Sequence, residues 1–323
     1  MKPRILLFLS LFLVLILAIF SLFRLTPLGT QSIAISHSRS SLTSSSISTP
    51  TVPQPTPTPQ PVLTVQGPAP TIAANAAYLF DADTGHILID INGEKPLSMA
   101  STTKIMTALI AIQTADLDQL VAIKQDAYDR VHTDGGSGAN LIVGDQLSLK
   151  DLLYGLLLPS GDDAAIAIAD ALGGTQAFVE RMNLFAYRLH LFQTHYTTPD
   201  GLTNDENHYS TAYDLAQLAQ YAMRIPIFAQ IVQTPEYTLA ATAQHHSYDW
   251  VTTNTLLTTY PGTIGAKTGH TNAAGWCMVF AAKRAGHELI GAILDSPSES
   301  QRDQDATTLL NWGFSLPLLP PTS

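Results

Sequence analysis

Residues 99–108 read Met99-Ala100-Ser101-Thr102-Thr103-Lys104-Ile105-Met106-Thr107-Ala108. Ser101 and Lys104 stand three apart, so on a helix they share a face, one turn from each other. Ser101 falls at the expected helix start, where backbone amides and the helix dipole favour developing negative charge. Such a Ser-x-x-Lys is weak evidence by itself. Here two further motifs follow in order, Ser160-Gly161-Asp162 and Lys267-Thr268-Gly269. They add a second hydroxyl, a short polar side chain and a second amine. A serine hydroxyl is a poor nucleophile until a base takes its proton. A lysine serves as that base only when neutral, and burial or a nearby cation favours the neutral form. The set therefore points to acyl transfer with a serine nucleophile and a lysine base.

The flanking sequence divides the chain of 323 residues. Residues 5–23 are apolar and uncharged, about the length needed to cross a bilayer as a helix. Lys2 and Arg4 precede them, which keeps residues 1–4 on the cytoplasmic side and places the rest outside. The expectation is a single-pass anchor in the cell membrane with an extracytoplasmic domain. The rival is a cleaved signal segment and a secreted protein. Residues 24–72 are rich in Ser, Thr and Pro, which suits a disordered tether with extended conformers. The folded domain is expected over residues 73–316, with a short tail at 317–323.

Charge and composition exclude several functions. The chain carries 26 acidic residues against 16 Lys and Arg, for a net charge of −10. An acidic exported domain does not suit nucleic acid. Cys277 is the single cysteine, so neither an internal disulfide nor a cysteine metal cluster can form. The ten histidines show no His-Glu-x-x-His spacing, and no metal or cofactor is expected.

Apolar runs at 77–80 and 86–89 flank Asp81-Ala82-Asp83-Thr84-Gly85 and predict a hairpin. A second hairpin is predicted from 276–282 and 288–294, with a strand at 263–271 before it. Between them, 104–112, 149–172, 178–191 and 211–223 suit helices. Strands at both ends with helices between predict an α/β domain with one mainly antiparallel sheet built from both ends and flanked by helices.

Longer strings carry a family resemblance. They are Asn92-Gly93-Glu94-Lys95-Pro96, Leu152-Leu153-Tyr154-Gly155-Leu156-Leu157-Leu158-Pro159, Pro199-Asp200-Gly201-Leu202 and His208-Tyr209-Ser210-Thr211-Ala212-Tyr213-Asp214. With the three motifs, the chain resembles the serine D-alanyl-D-alanine carboxypeptidases, the low-molecular-mass penicillin-binding proteins, over about residues 73–316. The resemblance implies a β-lactamase/DD-peptidase-like fold. It also implies a substrate, a peptidoglycan stem peptide ending in D-Ala-D-Ala, and β-lactams as covalent inhibitors. Ser101 would be the nucleophile, Lys104 the base and Ser160 the proton carrier to the leaving amine. Lys267 and Thr268, with Gly269 between them and His270, would bind the substrate carboxylate. Backbone amides of Ser101 and His270 would form the oxyanion hole.

Two features depart from the family. Asp162 stands where Asn is usual, and an ionised carboxylate beside Lys104 would weaken the lysine as a base. Either Asp162 is protonated and mimics Asn, or it is ionised and hydrogen-bonded to Lys104. Many relatives also continue into a C-terminal β-domain, which is not expected here, where residues 317–323 read as a short Pro-rich tail. Two other readings remain. One is a β-lactamase-like hydrolase, with Glu206 as the acid between the second and third motifs. The other is a non-catalytic penicillin- or peptidoglycan-binding module, favoured only by Asp162. His208 and Asp214 read as residues that pin a helix, and Asp200-Gly201 as a turn.

Overall fold

The computed structural model describes residues 61–320, so the expected anchor at 5–23 and residues 24–60 of the expected tether lie outside the described residues. In chain order the elements are β1 (Val62–Leu63), β2 (Ala76–Asp81), β3 (Ile87–Ile91), a 3-10 turn (Ala100–Thr103), α1 (Lys104–Thr114), β4 (Leu120–Ala122), α2 (Gln125–His132) and β5 (Gln146–Ser148). There follow α3 (Leu149–Leu157), α4 (Asp162–Ala171), α5 (Thr175–Arg188), α6 (Ala212–Met223), α7 (Pro226–Val232), β6 (Glu236–Leu239), β7 (Tyr248–Val251) and α8 (Leu256–Thr259). The last are β8 (Thr263–Thr271), β9 (Gly275–Arg284), β10 (His287–Ser296), α9 (Glu299–Ser315) and β11 (Leu318–Leu319).

The main sheet is antiparallel with strand order β3-β2-β10-β9-β8. Both expected hairpins form, and β10 pairs with β2, Gly291 opposite Leu79, to join the two ends of the domain. Every residue of β2 is buried. That is possible only because helices cover both faces of the sheet. On one face α6 packs against β2 and β10; on the other α9 packs against β9 and β10. The two faces therefore have separate apolar cores, one shared with the helical half and one sealed by Ala306, Leu309 and Leu310 of α9. Burying each large aliphatic side chain there contributes about 1.5–3 kcal/mol.

Local chemistry sets several boundaries. Ser148, Thr211 and Ser298 cap α3, α6 and α9 by accepting from the backbone amides of Asp151, Asp214 and Gln301. Each pair has the Ser/Thr-x-x-acid/amide spacing of a capping box. The apolar run 149–172 forms two helices, not one. Pro159 ends α3, and Ser160 takes a left-handed φ of +67° before α4 begins at Asp162. The first core buries α1 from Lys104 to Ala111, which fixes the start of that helix. Val62–Leu63 pairs with Leu318–Leu319, so ordered chain extends on both sides of the expected 73–316 domain. Two residues inside the expected tether, Val62 and Leu63, thus gain strand pairing because the C-terminal segment returns beside them. Among the described residues no helix is long and apolar enough to cross a membrane.

Candidate functional site

The 3-10 turn places Ser101 against the edge strand β8. Gly269 lets the two approach: a Cβ at that position would stand 2.9 Å from the Ser101 amide nitrogen and 3.1 Å from that of Thr102. The third residue of the Lys-Thr-Gly motif is glycine for this steric reason. On the other side, the break between α3 and α4 brings Ser160 and Asp162 to the same point. Gly161 fits there because a Cβ would press on the Gly155 carbonyl at 2.7 Å.

Lys104 Nζ is the centre of the arrangement and is fully buried. It donates to Ser101 Oγ at 2.8 Å, Asp162 Oδ1 at 2.5 Å and the Asp200 carbonyl at 3.1 Å, with Ser160 Oγ at 3.4 Å. A neutral amine has two hydrogens and one lone pair. With Asp162 ionised and the two hydrogens directed at its Oδ1 and at the Asp200 carbonyl, the lone pair faces the serine hydroxyls. That is the orientation a base for Ser101 requires.

Asp162 is held from two sides. Its Oδ2 accepts from the Ser137 amide at 2.7 Å while Oδ1 faces Lys104. Burial pushes its carboxyl above the usual carboxylate range, and the Lys104 charge pulls it back only in part. Both oxygens face donors, so a proton on Asp162 must lie on Oδ1, toward Lys104. The protonated-acid and ion-pair alternatives are thus two positions of one shared proton.

Lys267 is buried too, and its ammonium donates to the Thr268 carbonyl at 2.8 Å. Burial, followed by the Lys104 charge, holds it well below the usual lysine range. A docked anion would reverse both effects. The Thr268 hydroxyl lies 2.6 Å from that of Thr253. The His270 ring is exposed and stacks on Trp276, centroids 4.0 Å apart. It borders an open cleft of about 410 Å³ lined also by Arg130, Asp134, Asn204 and Thr271.

The profile of the D-alanyl-D-alanine carboxypeptidase family matches residues 63–298. The D-alanyl-D-alanine carboxypeptidase of Streptomyces sp. (strain K15) is 42% identical over 260 residues, 76% of this chain and 89% of that protein. The chain belongs to the D-alanyl-D-alanine carboxypeptidase family. DacF of Bacillus subtilis (strain 168) is 33% identical over 244 residues, 75% of this chain and 62% of that protein. The crystal structure of the Streptomyces K15 DD-transpeptidase superposes with a TM-score of 0.74 at 41% identity, covering 77% of this chain and all of that one. The fold is therefore the β-lactamase/DD-peptidase-like one that the sequence led us to expect.

Within this family fold the remaining candidates take structural places. His208 is buried, which lowers its pKa to about 4. Its Nδ1 accepts from the Thr197 amide, so Nε2 carries the proton toward Thr103 Oγ1 at 2.8 Å. It pins the turn that carries Ser101. Asp214 accepts from the Gln193 amide and the Thr194 hydroxyl and anchors α6. Glu206 is exposed, and no hydrogen bond joins it to Ser101, Lys104 or Ser160. Burial raises the Cys277 thiol to about 12, so it is an inert core residue. Among the described residues no group of three or more side chains could hold a metal.

The sequence reading missed four site residues. Asp200 was legible only as part of a turn, yet its carbonyl binds Lys104. Arg130 grips Asp200 from α2. Thr253 reaches Thr268 and, through its amide, the Leu158 carbonyl before Ser160. Arg302 of α9 is buried, lies over Trp276 and adds positive charge felt by Lys267. Asp200 lies in one of the family strings but its role was not legible there, and Arg130, Thr253 and Arg302 stand in none; a buried arginine on an otherwise unremarkable helix has no local signature.

Proposed function

We propose that the chain removes the terminal D-alanine from peptidoglycan stem peptides ending in D-Ala-D-Ala, through an acyl-enzyme on Ser101. The observation that carries this is Lys104 Nζ, buried between Ser101, Ser160 and Asp162. Lys267 and Thr268 receive the terminal carboxylate, and the Lys267 ammonium gains a counter-ion as the substrate docks. Lys104 takes the Ser101 proton while Oγ attacks the carbonyl carbon of the penultimate residue. The oxyanion is met by the backbone amides of Ser101 and His270, donors aimed at charge that develops only in the transition state. Ser160 passes the proton from Lys104 to the leaving nitrogen, the C–N bond breaks, and D-alanine departs. Water then hydrolyses the ester and restores Ser101.

A β-lactamase reading needs a carboxylate that activates water for rapid deacylation, and Glu206 is not joined to the site. A second reading is transpeptidation, in which an amine instead of water accepts the acyl group. The name of the K15 DD-transpeptidase, with its TM-score of 0.74, favours testing it. Mass spectrometry after incubation with a penicillin tests the assignment: the adduct is expected on the Ser101 peptide and absent from Ser101→Ala. Product analysis with and without an amine acceptor separates hydrolysis from transfer.

Residues 5–23, behind Lys2 and Arg4, are the proposed membrane anchor, with the enzyme on the outer side. N-terminal sequencing of protein from native membranes tests this. An intact start supports the anchor; a mature start between Ser21 and Ser40 with release from the membrane refutes it.

A further inference from the structure

We propose that Arg130 is a positioning residue for the reaction, gripping Asp200 in a bidentate ion pair that keeps the Asp200 carbonyl on Lys104 and aims the amine's lone pair at Ser101. The inference rests on the reading that Lys104 activates Ser101.

The contacts converge on one turn. Arg130 Nε meets Asp200 Oδ2 at 2.5 Å and Nη2 meets Oδ1 at 3.1 Å. Nη2 also donates to the Leu202 carbonyl at 2.5 Å, so the guanidinium holds the chain on both sides of Gly201. Arg130 Nη1 is in turn held by Asp134 at 3.1 Å. Nothing else in the turn could hold the Asp200 carboxylate so firmly: its one other partner is the Leu202 amide. Gly201 has a φ of +85°, and a Cβ there would collide with the Ala100 carbonyl in the nucleophile turn. Thr107 of α1 donates to the Pro199 carbonyl at 2.5 Å. The turn is thus pressed between α1 and Arg130, and the Asp200 carbonyl is the surface it presents to Lys104. A planar fork matched to a carboxylate gives this turn an orientation that a single hydrogen bond would not.

The pair also sets the charge around the amine. Lys104 faces Asp162 and Asp163 of α4, Asp200 with Arg130 behind it, and Lys267 of β8, with Arg302 of α9 beyond Lys267. Burial by itself would push the Asp200 carboxyl up. The Arg130 hydrogen bonds, with the Lys104 charge, outweigh this and hold it below the usual carboxylate range. Asp200 therefore stays ionised, and without Arg130 it would be a second uncompensated anion beside Lys104.

The test is the rate of acylation by a fluorescent penicillin across pH, separated into initial binding and the acylation step. R130Q is expected to lose tenfold or more in the acylation step, with initial binding unchanged, and to move the ascending limb to higher pH. D200N removes the anion and leaves the cation, so its limb moves to lower pH. In R130Q/D200N the charges balance again: the limb returns to its original pH while the plateau stays low, because the carbonyl is no longer gripped. A merely structural tie would lower all plateaus and move no limb. An R130Q plateau equal to the parent's, or limbs that coincide in all variants, overturns the proposal. Should R130Q not fold, the near-isosteric D200N decides alone by whether its limb moves. If the unaltered protein takes no label, the functional reading fails; if it labels at Ser101 and R130Q labels equally, only this inference fails.

Discussion

Asp162→Asn is the most informative single substitution at the site. It removes one charge and changes no volume. Asp162 Oδ1 lies 2.5 Å from Lys104 Nζ, and Oδ2 accepts from the Ser137 amide at 2.7 Å. In the unaltered protein the pair shares one proton, and the base is competent only after that proton leaves an amine that still faces a carboxylate. In the variant the ammonium has no such counter-ion and gives up its proton more readily. Two unit charges 2.5 Å apart at an effective dielectric of about 20 interact by about 7 kcal/mol. The Asp200 carboxylate remains nearby and burial already opposes the Asp162 charge, so only part of that is felt, and the ascending limb is expected to move to lower pH.

The same change has a cost. An Asn that presents its oxygen to Lys104 turns its NH₂ toward the Ser137 N–H, donor against donor. Loss of that partly buried hydrogen bond costs about 1 kcal/mol, which for a domain of this size lowers Tm by about 2–4 °C. The assay is the second-order rate of penicillin acylation against pH, alongside D-alanine release from a D-Ala-D-Ala peptide. Because the two groups titrate together, only the comparison of variant and parent is interpretable. A superimposable profile, or a limb displaced to higher pH, refutes the reasoning.

Two further outcomes follow from the packing. Gly269→Ala puts a methyl 2.9 Å from the Ser101 nitrogen, so β8 or the nucleophile turn must move; a loss of about 1–3 kcal/mol in thermal unfolding is expected with at least tenfold slower acylation, and unchanged labelling would contradict the close approach. Thr253→Val leaves the Thr268 hydroxyl, which the substrate carboxylate is expected to meet, without its hydrogen-bond partner at 2.6 Å; KM for the peptide should rise about fivefold with kcat nearly constant, and a change confined to kcat would place Thr253 elsewhere in the reaction.

The comparison of sequence and structure follows the range of the interactions. Ser101 and Lys104 were legible because helix periodicity places i and i+3 on one face. The hairpins around Asp81–Gly85 and Lys283–His287 were legible because apolar runs flank a turn. Longer helices showed through composition, but the break at Ser160 did not: residues 149–172 carry one apolar pattern, and the left-handed φ of Ser160 interrupts it where the site needs a turn. α9 was missed because its first half is polar and only a few positions, such as Leu309 and Leu310, face the sheet. The sequence by itself determined which chemical groups are present, their order, and the one pair that a single helical turn brings together. Only the tertiary structure decided that Asp162, the Asp200 carbonyl and Lys267 converge on that pair, and that Arg130 and Thr253 stand behind them. Those groups are tens to more than a hundred residues apart in the chain. They meet because β10 pairs with β2, and because burial in two cores leaves the break after α3, the Asp200 turn and β8 facing one another across a single amine.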